Sequence, residues 1–302
     1  MRVTKAIAIY AVAVVILSAW LAPWVFWIVQ GAGHNLPGAS WLSKQPFRRV
    51  FDRTILIVAA VGLWPLFRAL GIHSWSEIGF PRGKNWWRQV LLGVLLGVGS
   101  FALAAGMLIL LGARTLNSSV QASTFSSQLL NFIATAIVVA VIEETYFRGG
   151  VQGALQRGMK PLAAIALTSA IYSAAHFLKP PSADIPTEAV RWNSGFNYLV
   201  RVFSQSWRAQ GVGLGFVTLW LAGSILGLAF AETRGLYLPI GLHAGWVLTL
   251  KSYAFCTQAT LPQTAVWWGG DTLIENAMMW PVLVILLAMV NWICRHKLGP
   301  LR

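Results

Sequence analysis

Two adjacent glutamates, Glu143 and Glu144, directly follow a stretch from residue 132 to 142 that is almost entirely apolar. An ionisable side chain at hydrocarbon depth costs roughly 2.5 to 3.5 kcal/mol on insertion scales, so such residues usually serve a function. Arg148 follows Glu144 by four residues, which places both on one helix face and predicts an ion pair. Glu143 lies about 100° further around the helix and would stay available for proton transfer. Alternatively, all three residues form a buried salt-bridge cluster that only fixes helix packing.

Two histidines, His176 and His243, also lie within apolar segments, whereas the other three lie in predicted loops or near the terminus. A glutamate beside a neutral histidine can deprotonate water in a cavity, and the resulting hydroxide can attack a peptide carbonyl. A second histidine can donate to the oxyanion that forms. The same groups, Glu143 with the two histidines, also suit Zn²⁺. Spacing alone does not separate these two chemistries, because the groups come from different segments.

The composition of the whole chain is that of a membrane protein. Of its 302 residues, 57% are hydrophobic and only 11% are charged, whereas soluble domains carry about 25% charged residues. Sixteen tryptophans suit the two membrane interfaces. The net charge of +14 does not indicate nucleic-acid binding, because the basic residues are scattered between apolar segments. Attraction to anionic lipid head groups accounts for this charge.

Eight segments are long and apolar enough to span a bilayer, which requires about 20 residues. They are residues 6–29, 54–72, 87–112, 127–151, 161–179, 213–231, 235–255 and 275–294. We therefore predict an all-α, polytopic transmembrane helical bundle of about eight spans, with residues 1–302 forming a single integral membrane domain. The first segment is too long for the core of a signal peptide, and we expect it to be retained.

The longest predicted loop, residues 180–212, begins with three prolines and then carries five aromatic residues. This mixture fits a helix that lies in the membrane interface. It fits an irregular loop with scattered aromatic side chains equally well, so the sequence leaves both structures open.

Three motifs, in chain order, resemble those of the CPBP family, which comprises the CAAX prenyl endopeptidases and the bacteriocin-processing (Abi) proteins. They are Glu143-Glu144-Thr-Tyr-Phe-Arg148, Tyr172-Ser-Ala-Ala-His176 and the segment Gly-Leu-His-Ala-Gly-Trp that contains His243. The family patterns are Glu-Glu-x-x-x-Arg, aromatic-x-x-x-His and His-x-x-x-Asn. Order and spacing match over about residues 127–255, which the resemblance marks as a catalytic core.

The resemblance implies intramembrane proteolysis of the glutamic type in a fold of about eight transmembrane helices. By resemblance, Glu143 would activate water, with help from His176. Glu144 and Arg148 would brace the site, and His243 would help to hold the oxyanion. No cofactor is expected on this mechanism; the alternative is Zn²⁺ bound by Glu143, His176 and His243.

One position departs from the family pattern. Val247 stands four residues after His243, where the family usually has Asn or another polar residue. Trp246 and Lys251 carry N–H donors nearby, and either could replace the missing amide. Otherwise the departure implies altered specificity or lost catalysis.

The residues and the resemblance together predict an intramembrane endopeptidase. It would cleave a membrane-proximal peptide bond, including bonds near a lipidated or hydrophobic C-terminal segment. Its expected partners are a membrane-associated peptide or protein substrate and the lipid bilayer, without nucleic acid, and its expected location is the bacterial inner membrane. One alternative is a non-catalytic membrane scaffold or immunity-type protein that binds a peptide. Another is a proton- or metal-coupled transporter, which the absence of evident internal repeats disfavours.

Overall fold

The structure is a computed structural model that describes residues 2–83, 85–177, 184–205, 211–260, 267 and 272–298. Of these residues 78% are helical, and strand is almost absent. The α-helices are α1 (Arg2–Asn35), α2 (Phe47–Ala69), α3 (Trp75–Ile78), α4 (Trp86–Leu110), α5 (Ala122–Glu144), α6 (Gly153–Leu155), α7 (Pro161–His176), α8 (Ser194–Gln205), α9 (Val212–Thr233), α10 (Tyr237–Cys256) and α11 (Met279–Ile293).

The remaining elements are short. π-Helical segments continue α5 as Thr145–Gln152 and α11 as Cys294–Leu298. Two strands, β1 (Arg114–Leu116) and β2 (Thr257–Ala259), pair antiparallel with Thr115 opposite Gln258. They follow α4 and α10 in the chain, so the ribbon ties the ends of these two helices together.

Six helices within the described ranges are long and apolar enough to cross a membrane, which confirms the predicted polytopic helical membrane fold. They are α2, α4, α9, the residues of α1 from Lys5 on, the continuous helix Ala122–Leu155 and the helix Met279–Leu298. The predicted spans 161–179 and 235–255 correspond to α7 and α10. These two helices are not long enough or not apolar enough to count among the six. α7 has only 16 residues, and His243 and Lys251 lower the hydropathy of α10. The predicted count of eight spans is therefore approximate.

The chain forms two compact units. The first contains α1, α2 and α8, and α1 packs against both other helices. The core of this unit consists of Ala19, Ala22, Phe26, Phe47, Val50, Phe51, Ile185, Val190, Tyr198 and Val202. The second unit contains α3 to α6, α7 up to residue 175, α9 to α11 and the β-ribbon. The interpretation of residues 1–302 as a single domain stays a prediction.

In the second unit, α4 and α10 approach each other closely because glycines line their contact. Gly93 and Gly97 of α4 lie directly against the backbone of α10, and a Cβ added to Gly97 would overlap an α10 carbonyl oxygen. Gly241 and Gly245 of α10 lie against the backbone of α4 in the same way. Small residues spaced by four allow such close packing of membrane helices. Since His243 lies between the two α10 glycines, this contact positions its side chain.

We expect Gly97→Ala to destabilise the protein and Gly99→Ala, on the same helix, not to. A Cβ at Gly97 would force α4 and α10 apart, and overpacking typically costs about 1–3 kcal/mol. A Cβ at Gly99 would meet nothing within 4 Å, and alanine is better than glycine inside a helix by roughly 0.5–1 kcal/mol. Thermal unfolding of the two purified variants in detergent measures the difference. Equal unfolding midpoints would contradict the close contact between α4 and α10.

Part of the predicted loop 180–212 is helical. α8 buries Ser194, Gly195, Tyr198 and Val202, and a Cβ on Gly195 would overlap the carbonyl oxygen of Ala19 in α1. The helical alternative therefore holds for this segment. Residues 178–183 and 206–210, which include some of the prolines and aromatic residues of the loop, lie outside the described residues.

Candidate active site

The two glutamates lie where α5 changes from an α-helix to a π-helix. α5 ends at Glu144, and Thr145–Gln152 continues it with π-helical hydrogen bonding. π-Helical turns within longer helices occur frequently at functional sites. A Cβ on Gly149 in this segment would lie 2.6 Å from the carbonyl oxygen of Ile78. Close packing against α3 thus holds the π-helical segment in place.

Arg148 is completely buried and forms the centre of a charged cluster. Its Nη1 donates to Oε1 of Glu144 over 3.0 Å, so the ion pair expected from the four-residue spacing is present. Its Nη2 donates to the carbonyl oxygen of Gly223 in α9 over 3.1 Å. The guanidinium also lies 4.7 Å from the ring centre of Tyr172, in cation–π contact. These partners compensate the charge, which would be strongly destabilising if it were buried alone.

His243 connects the two glutamates. Its Nδ1 lies 2.7 Å from Oε1 of Glu144. Because that carboxylate oxygen also accepts a hydrogen bond from Arg148, we assign the imidazole nitrogen as the donor, which places a proton on Nδ1. The other ring nitrogen, Nε2, lies 3.9 Å from Oε2 of Glu143. The ring therefore presents one nitrogen to each glutamate.

The two glutamates differ in their surroundings. Glu144 is completely buried and lies between Arg148 and His243, which both donate to its Oε1. The side chain of Glu143 is 20% exposed, although its Oε2, the oxygen beside His243, is itself buried. Glu144 is thus the carboxylate held by Arg148, and Glu143 lies on another side of the helix, as expected from the sequence.

Sequence reasoning missed Gln152, which lies on the same helix face as the buried Glu144 and Arg148. Gln152 is completely buried, and its Nε2 donates to the carbonyl oxygen of Gly227 in α9 over 2.8 Å. Arg148 and Gln152 therefore bind two α9 carbonyls that are also four residues apart. The signal in the sequence was the spacing itself, since Glu144, Arg148 and Gln152 recur every fourth residue and form one polar stripe.

The aromatic ring of Tyr172 packs against this cluster. It is almost completely buried, and its ring centre lies 6.2 Å from that of His243 in an edge-on arrangement. Phe147 packs edge-on against the other side of the ring, at 5.1 Å. The sequence placed Tyr172 in the second motif without giving it a role. The structure places it between the arginine and the histidine of the site.

His176 is the last residue of α7 and is partly buried. The division between the two compact units falls between residues 175 and 176. Glu143, Glu144, Arg148 and His243 therefore come together in the second unit, whereas His176 belongs to the first. The assistance of His176 to Glu143 stays a prediction.

The donors considered as replacements for the family's Asn have other contacts. Trp246 donates its indole N–H to Oγ of Ser100 over 3.1 Å and stacks on Phe101. The Lys251 ammonium lies 5.9 Å from the ring centre of Phe132. The side chain of Val247 has no donor. On α10, the ring nitrogen Nε2 of His243 lies 3.9 Å from Oε2 of Glu143.

No group of three or more His, Cys, Asp and Glu side chains within the described ranges is arranged to hold a metal ion. One nitrogen of His243 is already bound to Glu144. Nε2 of His243 and the Glu143 carboxylate face each other with ligand atoms, which gives two of the four positions that zinc usually fills.

Comparison with known families agrees with this cluster. Residues 125–249 match the family model of the Rce1-like proteins, described as type II CAAX prenyl endopeptidase Rce1-like. This segment is Rce1-like. It contains Glu143, Glu144, Arg148 and both histidines of the three motifs, so the predicted resemblance to the CPBP family is confirmed. No curated protein and no solved structure matches the chain.

The Rce1-like match and the apolar helices together support two general statements. The chain is an integral, multi-pass membrane protein. The match indicates a protease of the CAAX type in general.

Proposed function

We propose that the protein is an intramembrane endopeptidase of the glutamic type, which hydrolyses a membrane-proximal peptide bond with water activated by Glu143. The observation that supports this most is the placement of His243. Its Nδ1 binds the buried Glu144 at 2.7 Å, and its Nε2 faces Oε2 of Glu143 at 3.9 Å. A water molecule that entered between the two groups could lie within hydrogen-bond distance of both.

In the proposed reaction Glu143 takes a proton from water, with His176 assisting, and the hydroxide attacks the carbonyl carbon of the peptide. The Nε2–H of His243, in its imidazolium form, donates to the oxyanion of the tetrahedral intermediate. The C–N bond then breaks, and the proton held by Glu143 passes to the leaving amine. The carboxylate of Glu143 is thereby restored, and one water has been consumed.

Because Nδ1–H is assigned to Glu144, the donation from Nε2 requires the imidazolium form of His243, in which both ring nitrogens carry a proton. On this proposal Glu144 and Arg148 brace the site and take no part in proton transfer.

The substrate we propose is a membrane-associated peptide or protein that is cut close to a lipidated or hydrophobic C-terminal segment. The Rce1-like match over residues 125–249 supports this class. The bilayer is the second partner, nucleic acid has no role, and the location we propose is the bacterial inner membrane. We propose no resident cofactor; the alternative is Zn²⁺ at Glu143, His176 and His243.

A peptide library tests this function directly. The purified protein in detergent is incubated with peptides whose C-terminal segments are hydrophobic, lipidated or polar, with and without a chelator, and products are identified by mass spectrometry. We expect cleavage at one type of bond near the apolar segment, at the same rate with the chelator. A complete loss of cleavage on chelation would favour the zinc alternative. No cleavage of any peptide, combined with proton-coupled flux in liposomes, would replace the protease with a transporter.

One observation favours a second candidate, a non-catalytic scaffold or immunity-type protein. Val247 replaces the family's polar residue, and the neighbouring Trp246 N–H is bound to Ser100. Among the α10 side chains considered, this leaves His243 as the donor to an oxyanion. A protein that binds the library peptides but cuts none of them, and whose biological effect survives Glu143→Gln, would have this second function.

A further inference from the structure

α8 presents three distinct faces. Its buried face, formed by Gly195, Tyr198 and Val202 among others, packs on the core of the first unit. A second face carries Phe196, Val200 and Phe203, which are 36%, 68% and 51% exposed. At about 100° per residue these three side chains lie within about 60° of one another.

The third face is polar. Asn197, Arg201 and Ser204 are all exposed, and their positions in the helix place them between the apolar stripe and the buried face. The helix therefore has an exposed apolar stripe (Phe196, Val200 and Phe203) that directly adjoins an exposed polar face. Such a pattern is typical of helices that lie in the plane of a membrane interface.

The neighbours of α8 place it at head-group depth. The ring centre of Tyr198 lies 4.7 Å from that of Phe51 and 6.2 Å from that of Phe47, in the first turns of α2. The same turns carry the exposed Arg48, Arg49 and Arg53, and arginines near the end of a membrane helix lie at the interface with the head groups.

α1 provides a second, independent indication that α8 lies at the depth of the head groups. Gly195 of α8 lies against Ala19, beside the exposed Trp20, Trp24 and Trp27 on the outer side of α1. Tryptophans of this kind are enriched at membrane interfaces. Lys5 and Trp24 are separated by about 29 Å along the helix axis, close to the roughly 30 Å thickness of the hydrocarbon layer.

We propose that α8 is an interfacial helix whose apolar stripe inserts into the acyl chains at the edge of the bilayer. With 12 residues it is about 18 Å long, which is too short to span. The arginines of α2 and Arg201 provide positive charge that complements acidic head groups at this level. This inference does not rest on the proposed catalytic function.

Site-directed spin labelling tests the proposal. Single cysteines at Val200 and Phe203 in the stripe, and at Asn197 and Ser204 in the polar face, are made in a Cys256→Ala, Cys294→Ala background. The labelled proteins are reconstituted in phosphatidylcholine–phosphatidylglycerol vesicles, after size-exclusion chromatography has shown that each is folded. The accessibility of each label is measured to oxygen, which partitions into lipid, and to a water-soluble nickel complex.

We expect oxygen accessibility to dominate at residues 200 and 203 and nickel accessibility at residues 197 and 204. Nickel accessibility at all four positions would overturn the proposal, because α8 would then lie outside the bilayer. Oxygen accessibility at all four would overturn it as well, because α8 would be fully immersed. Labels at 200 and 203 that neither reagent reaches would mean that protein covers the stripe. Dipolar broadening between labels would identify that cover as a second copy of the chain.

Discussion

We expect Glu143→Gln to lose peptide cleavage while it unfolds at the same temperature as the wild type. Glutamine has the shape of glutamate but cannot take a proton from water, and a positioned general base contributes typically about 10²- to 10⁴-fold to the rate. We expect stability to be preserved because glutamine fills the same volume, and the contacts of Glu144 with Arg148 and with Nδ1 of His243 stay in place. The measurements are the cleavage rate of one peptide from the library and the unfolding midpoint in the same detergent.

Glu232→Gln is the matched control for this variant. Glu232 is also a partly exposed glutamate of a membrane helix, but it lies near the end of α9, with Oε1 3.7 Å from Nε of Arg295. We expect this control to cleave at the wild-type rate. Wild-type activity in Glu143→Gln would remove Glu143 from the mechanism, and a lowered midpoint in that variant would make its loss of activity uninformative about chemistry.

Arg148→Met should have the largest effect on stability. Methionine keeps much of the volume of the side chain, but it leaves the completely buried Glu144 without its ion-pair partner. Removing one partner of a buried pair typically costs about 3–5 kcal/mol. For a chain of this size we expect the unfolding midpoint to fall by at least about 6 °C, or the protein to fail to accumulate in the membrane.

Two further variants separate charge from packing in this prediction. Arg157→Met changes an exposed arginine shortly after the same π-helical segment and should leave the midpoint unchanged. The double variant Glu144→Gln, Arg148→Met should recover most of the lost stability, because it removes the uncompensated charge. A double variant as unstable as Arg148→Met alone would show that the arginine stabilises through the Gly223 and Tyr172 contacts rather than through Glu144.

The Glu144–Arg148 pair could be predicted from the sequence because both residues lie on one helix, where a separation of four fixes their proximity. The contact between Glu144 and His243 could not be predicted. These residues are 99 positions apart, and their distance depends on how α5 packs against α10. Sequence reasoning assigned His243 to the oxyanion, or alternatively to Zn²⁺, and missed its contact with Glu144, which determines the position of the ring proton.

The fold was predictable to the extent that hydropathy determines it. The long apolar segments are helices in the structure. The two segments that carry the histidines, α7 and α10, were predicted as spans like the others, but α7 is short and polar residues reduce the hydropathy of α10. Gln152 was overlooked although it continues the every-fourth-residue spacing of Glu144 and Arg148, because the role of a single amide is evident only when its partner carbonyl, here that of Gly227, is known.

On the proposed mechanism His243 holds Glu144 with one ring nitrogen and serves the reaction at Glu143 with the other. The variant His243→Asn separates these roles, because the asparagine amide reaches the position of Nδ1 but not that of Nε2. The decisive measurement is the cleavage rate of this variant relative to wild type. We expect the rate to fall by about 10²- to 10³-fold, the typical effect of losing one oxyanion donor, with little change in the unfolding midpoint. A wild-type rate in His243→Asn would contradict the claim, because Nε2 would then have no part in the reaction.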